Sequence, residues 1–375
     1  MSSRSTLTAA AGVAVAGLLA LATTAPATAQ PEAPAQAPSG RAMYEANCAA
    51  CHGADGRGNP QPVVGFDVPL PDLTDCDFTS REPKADWAGV AAEGGPLRGF
   101  SPIMPAFGDA LSSEEVRLAL EHIYDMCEEP QRYPRGEFNL PRPMWTAKAY
   151  IEDEVVVTVD SATDGSLDTA ATLTYEQRFG TRNNWEIKIP WKTMEGTDGA
   201  VTGIGDVVLA AKRVLVKNLD SGSIVSIVGE IILPVGNPER GLGKGYTVAE
   251  PFVAWGQILP AAFFLHTQAG AEIPLVADHN QELLWRAALG RSFTVGDYGR
   301  VYSPMVGVHG TYEIEDDATP SWAVAPQMHV TLNQRQHIML VAGAKIPVTD
   351  FDPSAVEGRL TLLWDWYDGG FFDGW

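Results

Sequence analysis

The second half of the chain alternates between apolar and polar residues. Between Ala171 and Phe179, residues Ala171, Leu173, Tyr175 and Phe179 fall on one face and Thr172, Thr174, Glu176 and Arg178 on the other. Trp185, Ile187, Ile189 and Trp191 alternate with Glu186 and Lys188, and Val225, Ile227, Ile231 and Leu233 share a face opposite Ser226 and Glu230. The pattern returns in Met328, Val330 and Leu332 against Gln327, His329 and Thr331. It returns again in Ile338, Leu340, Ala342 and Ile346 against His337 and Lys345, and in Leu360, Leu362, Trp364 and Trp366 against Arg359, Thr361 and Asp365. Period two is the side-chain period of a β-strand. The stretch from Trp145 onward therefore reads as β, in about ten to twelve strands if each needs the roughly 9–11 residues of a tilted membrane strand.

Two architectures share this period. A soluble β-sandwich hides its apolar face, whereas an outer-membrane barrel turns that face to lipid and keeps a polar lumen. Here one face carries large aliphatics and tryptophan while the other carries charges of both signs. Trp185, Trp191, Trp364 and Trp366 lie near strand ends, where interfacial girdles form, and the chain closes on the aromatic Trp375, separated from the last clear strand by Asp368-Gly369-Gly370. These features predict a barrel in the outer membrane. Its inward charges are Glu176, Arg178, Glu186, Lys188, Glu230, Lys345, Arg359 and Asp365, which either line a pore or pair with one another and fill a narrow interior.

The first thirty residues read as an address. Arg4 is their only charge, an apolar run follows from Leu7 to Leu21, and Ala25-Pro26-Ala27-Thr28-Ala29 ends in small residues. This predicts a secretory signal peptide over 1–29, then a Pro/Ala-rich leader over 30–39. The alternative, an uncleaved membrane anchor, needs a longer apolar run.

Cys48-Ala49-Ala50-Cys51-His52 follows. C-x-x-C-H is the attachment pattern of c-type haem: two thiols one helical turn apart each add to a vinyl group, and the adjacent imidazole is carried to the iron as an axial ligand. A zinc site would need a second Cys or His pair, and a thioredoxin-like motif would need a βαβ unit around it. Gly40, Tyr44 and Cys48 share a helical face, and Gly53-Ala54-Asp55-Gly56-Arg57-Gly58 reads as a loop. In these residues the chain resembles the class I c-type cytochromes, which supply a second axial ligand from a loop before their last helix. Ser101-Pro102-Ile103-Met104-Pro105-Ala106-Phe107-Gly108 is similar to that loop, so the resemblance implies Met104 as the sixth ligand. Met43, Met126 and Met144 lack such a setting, and His122 lies within a helix. Ser112 with Glu115 predicts a capping box, with Val116, Leu120, Ile123 and Cys127 at helical spacing behind it. In the resembled family that helix crosses the first, so that Gly40 and Tyr44 would meet Leu120 and Tyr124.

Cys76 and Cys127 lie outside the haem motif. An exported chain favours a disulfide between them, tying the segment before Met104 to the end of the last helix; the alternative is two free buried thiols. The expected organisation is thus multidomain: a small all-α cytochrome c domain over 40–128, a proline-marked linker over 129–144, and an all-β antiparallel barrel over 145–375.

Asn139-Leu140-Pro141-Arg142-Pro143, Gly205-Asp206 and Leu362-Leu363-Trp364-Asp365-Trp366 also resemble the outer-membrane channel-like family named for a MetA pathway of phenol degradation. The order of haem domain and barrel resembles the cytochrome–porin fusions of iron-oxidising bacteria. Together these imply one covalent haem c with Cys48, Cys51, His52 and Met104 as its site, one-electron transfer to periplasmic or outer-membrane redox partners, and contact with outer-membrane lipid, the haem domain facing the periplasm. A porin-like protein with a haem plug or gate, and extracellular Fe(II) oxidation, are the rival expectations. Lys and Arg total 26 against 47 Asp and Glu, for a net charge of −21, which excludes the basic footprint that nucleic-acid binding requires.

Overall fold

The computed structural model describes residues 38–366 apart from 165, 167, 197–198, 350 and 353–354. The expected signal peptide, nearly all of the leader, and Trp375 lie outside the described residues.

The N-terminal part is helical: α1 (Gly40–Asn47), α2 (Ala49–His52), α3 (Gln61–Val64), α4 (Cys76–Arg81), α5 (Lys84–Glu93) and α6 (Ser113–Met126). The expected capping box opens α6: the Ser112 hydroxyl accepts from the Glu115 N–H and the Glu115 carboxylate accepts from the Ser112 N–H. Tyr44 is fully buried and shares a core with Leu73, Val116, Leu120, Ile123 and Tyr124. Gly40 meets the Leu118 carbonyl and the His122 side chain, and a Cβ there would lie 2.3 Å from that oxygen. Only glycine lets α1 approach the α6 backbone so closely.

The C-terminal part is one antiparallel sheet of fourteen strands. They are β1 (Glu154–Ala162), β2 (Thr169–Phe179), β3 (Asn183–Gly196), β4 (Gly199–Ile204), β5 (Val207–Asn218), β6 (Ser223–Leu233) and β7 (Val248–Ile258). β8 (Phe263–Pro274), β9 (Glu282–Arg291), β10 (Phe293–Thr294), β11 (Val301–Glu313), β12 (Ser321–Thr331), β13 (Ile338–Pro347) and β14 (Glu357–Asp365) follow. β1 pairs with both β2 and β14, and β9 pairs with β11, so the sheet closes on itself. β4 only prolongs the hairpin after β3, and β10 only extends β11. The closed ring therefore has twelve strands, each paired on both sides, which removes the ring's open edges.

The strands whose faces the sequence spelled out sort their residues as expected, except that Trp366 is buried. Leu173 is 48% exposed on the outside, while Glu176 on the same strand is 1% exposed in the lumen. Trp191, Leu209, Ile227, Val253, Leu289, Val306, Met328, Leu360 and Leu362 also face outward and exposed. A soluble sandwich cannot show such a belt to water; a barrel in lipid requires it. Among the described residues no helix is long and apolar enough to cross a membrane.

The alternation expected from Trp145 starts only at Glu154. The preceding segment, expected as linker and first strand, runs through the lumen as a strap. Phe138, Ala149, Tyr150 and Ile151 pack against Val214, Ile224, Val228, Phe252 and Ala254 on the inner wall. Leu140, with Met144 beside it, joins Phe264, Met305 and Val341. Trp145 and Ile151 look like strand residues because they are aromatic and β-branched, but here those properties fill a barrel interior. Each large side chain so buried stabilises by roughly 1.5–3 kcal/mol.

Candidate functional site

The haem motif is presented by the junction of α1 and α2. Cys48 caps α1, and its carbonyl accepts from the N–H groups of Cys51 (3.2 Å) and His52 (3.0 Å), so one helical turn spaces the two sulfurs and the imidazole. The turn is locked from both sides. The Tyr44 hydroxyl donates to the Gly53 carbonyl at 2.7 Å, and the Asn59 amide donates to the carbonyls of Ala49 and Ala50, both at 3.0 Å. Gly53 and Gly56 adopt φ of 78° and 79°, a backbone that side-chain-bearing residues avoid. Gly56 must also admit Met126, whose sulfur would lie 2.6 Å from a Cβ.

These residues fit a haem. Cys48 and Cys51 are both unbridged and half-buried. The His52 Nδ1 is buried, and among the described residues no hydrogen bond engages either ring nitrogen, so the imidazole is free to ligate iron. Burial lowers the His52 pKa, which keeps the ring neutral, as a metal ligand must be. Burial, and then neighbouring Cys51, pushes the Cys48 thiol up to about 11.

Met104 sits half-buried in the loop between α5 and α6. Its carbonyl accepts from the Gly95 N–H at 3.1 Å, and the Phe107 and Gly108 N–H groups donate to the carbonyls of Ala91 (3.0 Å) and Ala92 (2.8 Å) at the end of α5. Ala88 and Ala91 of α5 pack on the same core as Cys48 and Ala49. One helix therefore carries the methionine loop and braces the haem motif. His122 lies edge-on to the Tyr44 ring, 5.5 Å between centroids.

Cys76 is disulfide-bonded to Cys127, with Cα atoms 5.1 Å apart and a sequence separation of 51. It fastens the start of α4 to the end of α6. On the chain-entropy account a loop of this length contributes about 4 kcal/mol. Replacing both by serine is expected to lower the melting temperature of the helical part while leaving covalent haem in place; thermal denaturation followed at the haem absorption checks this, and an unchanged midpoint would contradict it.

The helical part is fastened to the barrel end where β1 begins and β14 finishes. Arg98 pairs with Asp86 at 2.6 Å and donates to the Tyr298 carbonyl at 2.7 Å. Arg81 reaches Asp153 at 3.3 Å, and the Tyr150 hydroxyl donates to the Arg81 carbonyl at 3.3 Å. His337, in the turn between β12 and β13, sits between Glu82 (3.1 Å) and Asp365 (2.9 Å). Burial alone would lower its pKa, but the two carboxylates outweigh burial and hold it well above the ordinary histidine range. A raised folded pKa makes the contribution full below the unfolded value of about 6.5 and lost as pH rises through the folded one. Limited proteolysis of the 128–135 connector is therefore expected to accelerate in alkaline buffer, and His337→Gln to make the rate high and flat across pH. Identical pH profiles for the two proteins would contradict the assignment.

All eight expected lumen charges point inward and are paired, but only Glu186, Lys188 and Glu230 pair among themselves; the other five take partners outside that set. Lys188 bridges Glu186 (2.8 Å) and Glu230 (2.9 Å), Lys345 binds Glu357 (2.6 Å), and Arg359 binds Asp160 and Glu357. Arg178 reaches Asp77 of the helical part at 3.7 Å, and Asp365 holds His337. Glu176 takes Arg142 of the strap at 3.0 Å and Lys212 at 3.6 Å. Besides these pairs, the strap occupies the lumen. Its main chain is held by barrel side chains: the Met144 N–H donates to Gln327 (2.6 Å), the Ala147 N–H to Gln268 (3.0 Å), and Lys212 donates to the Tyr150 carbonyl (3.0 Å). Ser226 and Arg359 donate to the Ala149 and Met144 carbonyls. The strap was not read from sequence: Gln268 and Gln327 share their lumen rows with other buried polar residues, His266 and His329, and nothing in the rows singles them out.

A cavity of about 750 Å³ remains between the strap and the rim at Trp322 and Thr349. A smaller one of about 300 Å³ lies on the other side, between the strap and the helical part. Arg142 and Lys148 line both.

A c-type cytochrome domain joined to an outer-membrane-type β-barrel is the class that this fold and motif define. Residues 35–123 match the family described as cytochrome c oxidase, cbb3-type, subunit III. Residues 155–355, more than half of the chain, match the family described as "Putative MetA-pathway of phenol degradation", and the chain belongs to that family. Among solved structures it is similar to the outer membrane channel from Pseudomonas putida F1, at 14% identity and a TM-score of 0.45 over 60% of this chain and 99% of that one. It is also similar to the KdgM porin (8%, TM-score 0.38, 57% and 99%) and to LpxR from Salmonella typhimurium (8%, TM-score 0.38, 57% and 100%). No curated protein matches the chain.

Proposed function

We propose that this chain is an electron carrier held at the outer membrane by a closed barrel, with its helical domain on the periplasmic side. One haem c, attached through Cys48 and Cys51 and ligated by His52 and Met104, would supply one-electron transfer. With both axial ligands provided by the chain, no position is left for a substrate. Within the protein, Tyr44 and Asn59 hold the attachment turn, and α5 sets the methionine loop against the same core.

The observation that carries this reading is the strap. The lumen is crossed by a segment continuous with the helical domain, which argues for a tether rather than an open pore. The turns support this orientation. At the end bearing the helical domain they are mostly short, 180–182, 219–222, 259–262, 292–300 and 332–337; at the other end they include 234–247 and 348–356. Outer-membrane barrels keep short turns on the periplasmic side. A transport reading has one observation in its favour, the cavity above the strap, and would require the strap to move.

Sealed outer-membrane vesicles of known orientation test the proposal. Haem reduction by a membrane-impermeant reductant, or by a small reduced soluble cytochrome, is expected to be fast at the periplasmic face and negligible at the outer face. Fast reduction from the outer face would overturn it.

A further inference from the structure

The cavity above the strap has walls of opposite charge. On one wall Lys188 is engaged by both Glu186 and Glu230. Glu250 stands directly across the β6–β7 ladder from Glu230, only 8% exposed. Among the described residues no hydrogen bond or ion pair reaches it. Like charges opposed in register repel, and the nearest cations, Lys188 and Arg286, act on Glu250 through space without reaching ion-pair distance. With Glu176 and its partners Arg142 and Lys212 counted, four carboxylates face three cations on that side, which leaves it one cation short.

The other wall is short of an anion. Lys345 and Arg359 are matched by Glu357 and Asp160. Arg286 donates to the Trp145 carbonyl at 3.2 Å and has no carboxylate within ion-pair distance among the described residues. His309, its register partner on β11, keeps a buried Nε2 with no partner. Glu250, Arg286 and His309 all line the one cavity. Glu250 presents a single buried carboxylate to the cavity, which suits the charge-assisted hydrogen bonds of an organic ammonium.

We propose that this cavity binds a small zwitterion of the amino-acid type, its ammonium taken by Glu250 and its carboxylate by Arg286. The volume of about 750 Å³ lies within the range of ligand pockets, and the strap forms the floor. The site therefore captures solute from the side away from the helical domain. It stands independently of the haem and of the direction of electron flow.

Calorimetry on the full-length haem protein in detergent tests this with 4-aminobutyrate, 6-aminohexanoate and their single-charge counterparts butylamine, butyrate, hexylamine and hexanoate. At least one zwitterion is expected to bind tenfold or more tightly than both of its counterparts. Glu250→Gln should reduce it to the level of the acid, and Arg286→Gln to the level of the amine. Unboiled migration on a gel checks that each variant barrel is closed. If a variant does not fold, the six-ligand comparison on the unaltered protein decides alone. Equal binding of a zwitterion and its amine, no measurable binding of either zwitterion, or undiminished affinity in both folded variants would overturn the proposal.

Discussion

Replacing Cys48 and Cys51 together by alanine is expected to remove all covalently bound haem. The two thiols lie one turn apart at the α1–α2 junction, and among the described residues every other cysteine is accounted for by the Cys76–Cys127 disulfide. No second pair can take over. Haem staining after denaturing electrophoresis should fall to background, while either single replacement keeps one thioether and a weaker band. Replacing Cys76 and Cys127 should leave staining intact, which separates attachment from general loss of fold. Met104→His gives a graded companion: the haem stays, and its reduction potential drops by a sizeable part of the ~0.8 V range that axial ligands span. Residual covalent haem in the Cys48/Cys51 double variant would refute the assignment of these thiols.

Replacing residues 139–150 by a glycine–serine segment of equal length is expected to open the lumen. The substitution removes Leu140, Met144 and Tyr150 from the interior clusters, so the side-chain burial that holds the main chain against Gln268, Gln327 and Ser226 is lost. A flexible chain cannot recover that burial, because holding each residue in place costs about 1–2 kcal/mol of backbone entropy with no side chain to offset it. In a planar bilayer the unaltered protein should show a flat baseline and the variant steady ion conductance. The ring itself should survive, since its strand ladders do not use the strap. Equal conductance in the two proteins would show that the strap does not close the barrel.

What could be read from the sequence was local. The sorting of Leu173 outward and Glu176 inward follows from period two alone, because the two sides of a barrel strand meet solvents as different as lipid and water. The haem motif and the Ser112–Glu115 cap are equally local, complete within five residues or fewer. The partners of the lumen charges are not local. Lys188 finds Glu230, and Arg359 finds Asp160, only once the ring closes in a particular register. The strap was hidden for a related reason. Pro141 and Pro143 read as linker and Trp145 as strand when the segment is taken by itself; its role is defined by Gln268 and Gln327, which lie far along the chain. The Glu82–His337–Asp365 contact likewise joins three distant segments, and nothing near any one of them announces the other two.

The central claim is that one chain carries both covalent haem and a closed membrane barrel. Its most direct test is a haem-stained gel of the membrane fraction, from a host that matures c-type haem, with boiled and unboiled samples side by side. A single haem-positive membrane band that migrates differently before and after boiling is the predicted result, because a closed barrel resists detergent until heated. A haem-positive band in the soluble fraction, unmoved by boiling, would contradict it.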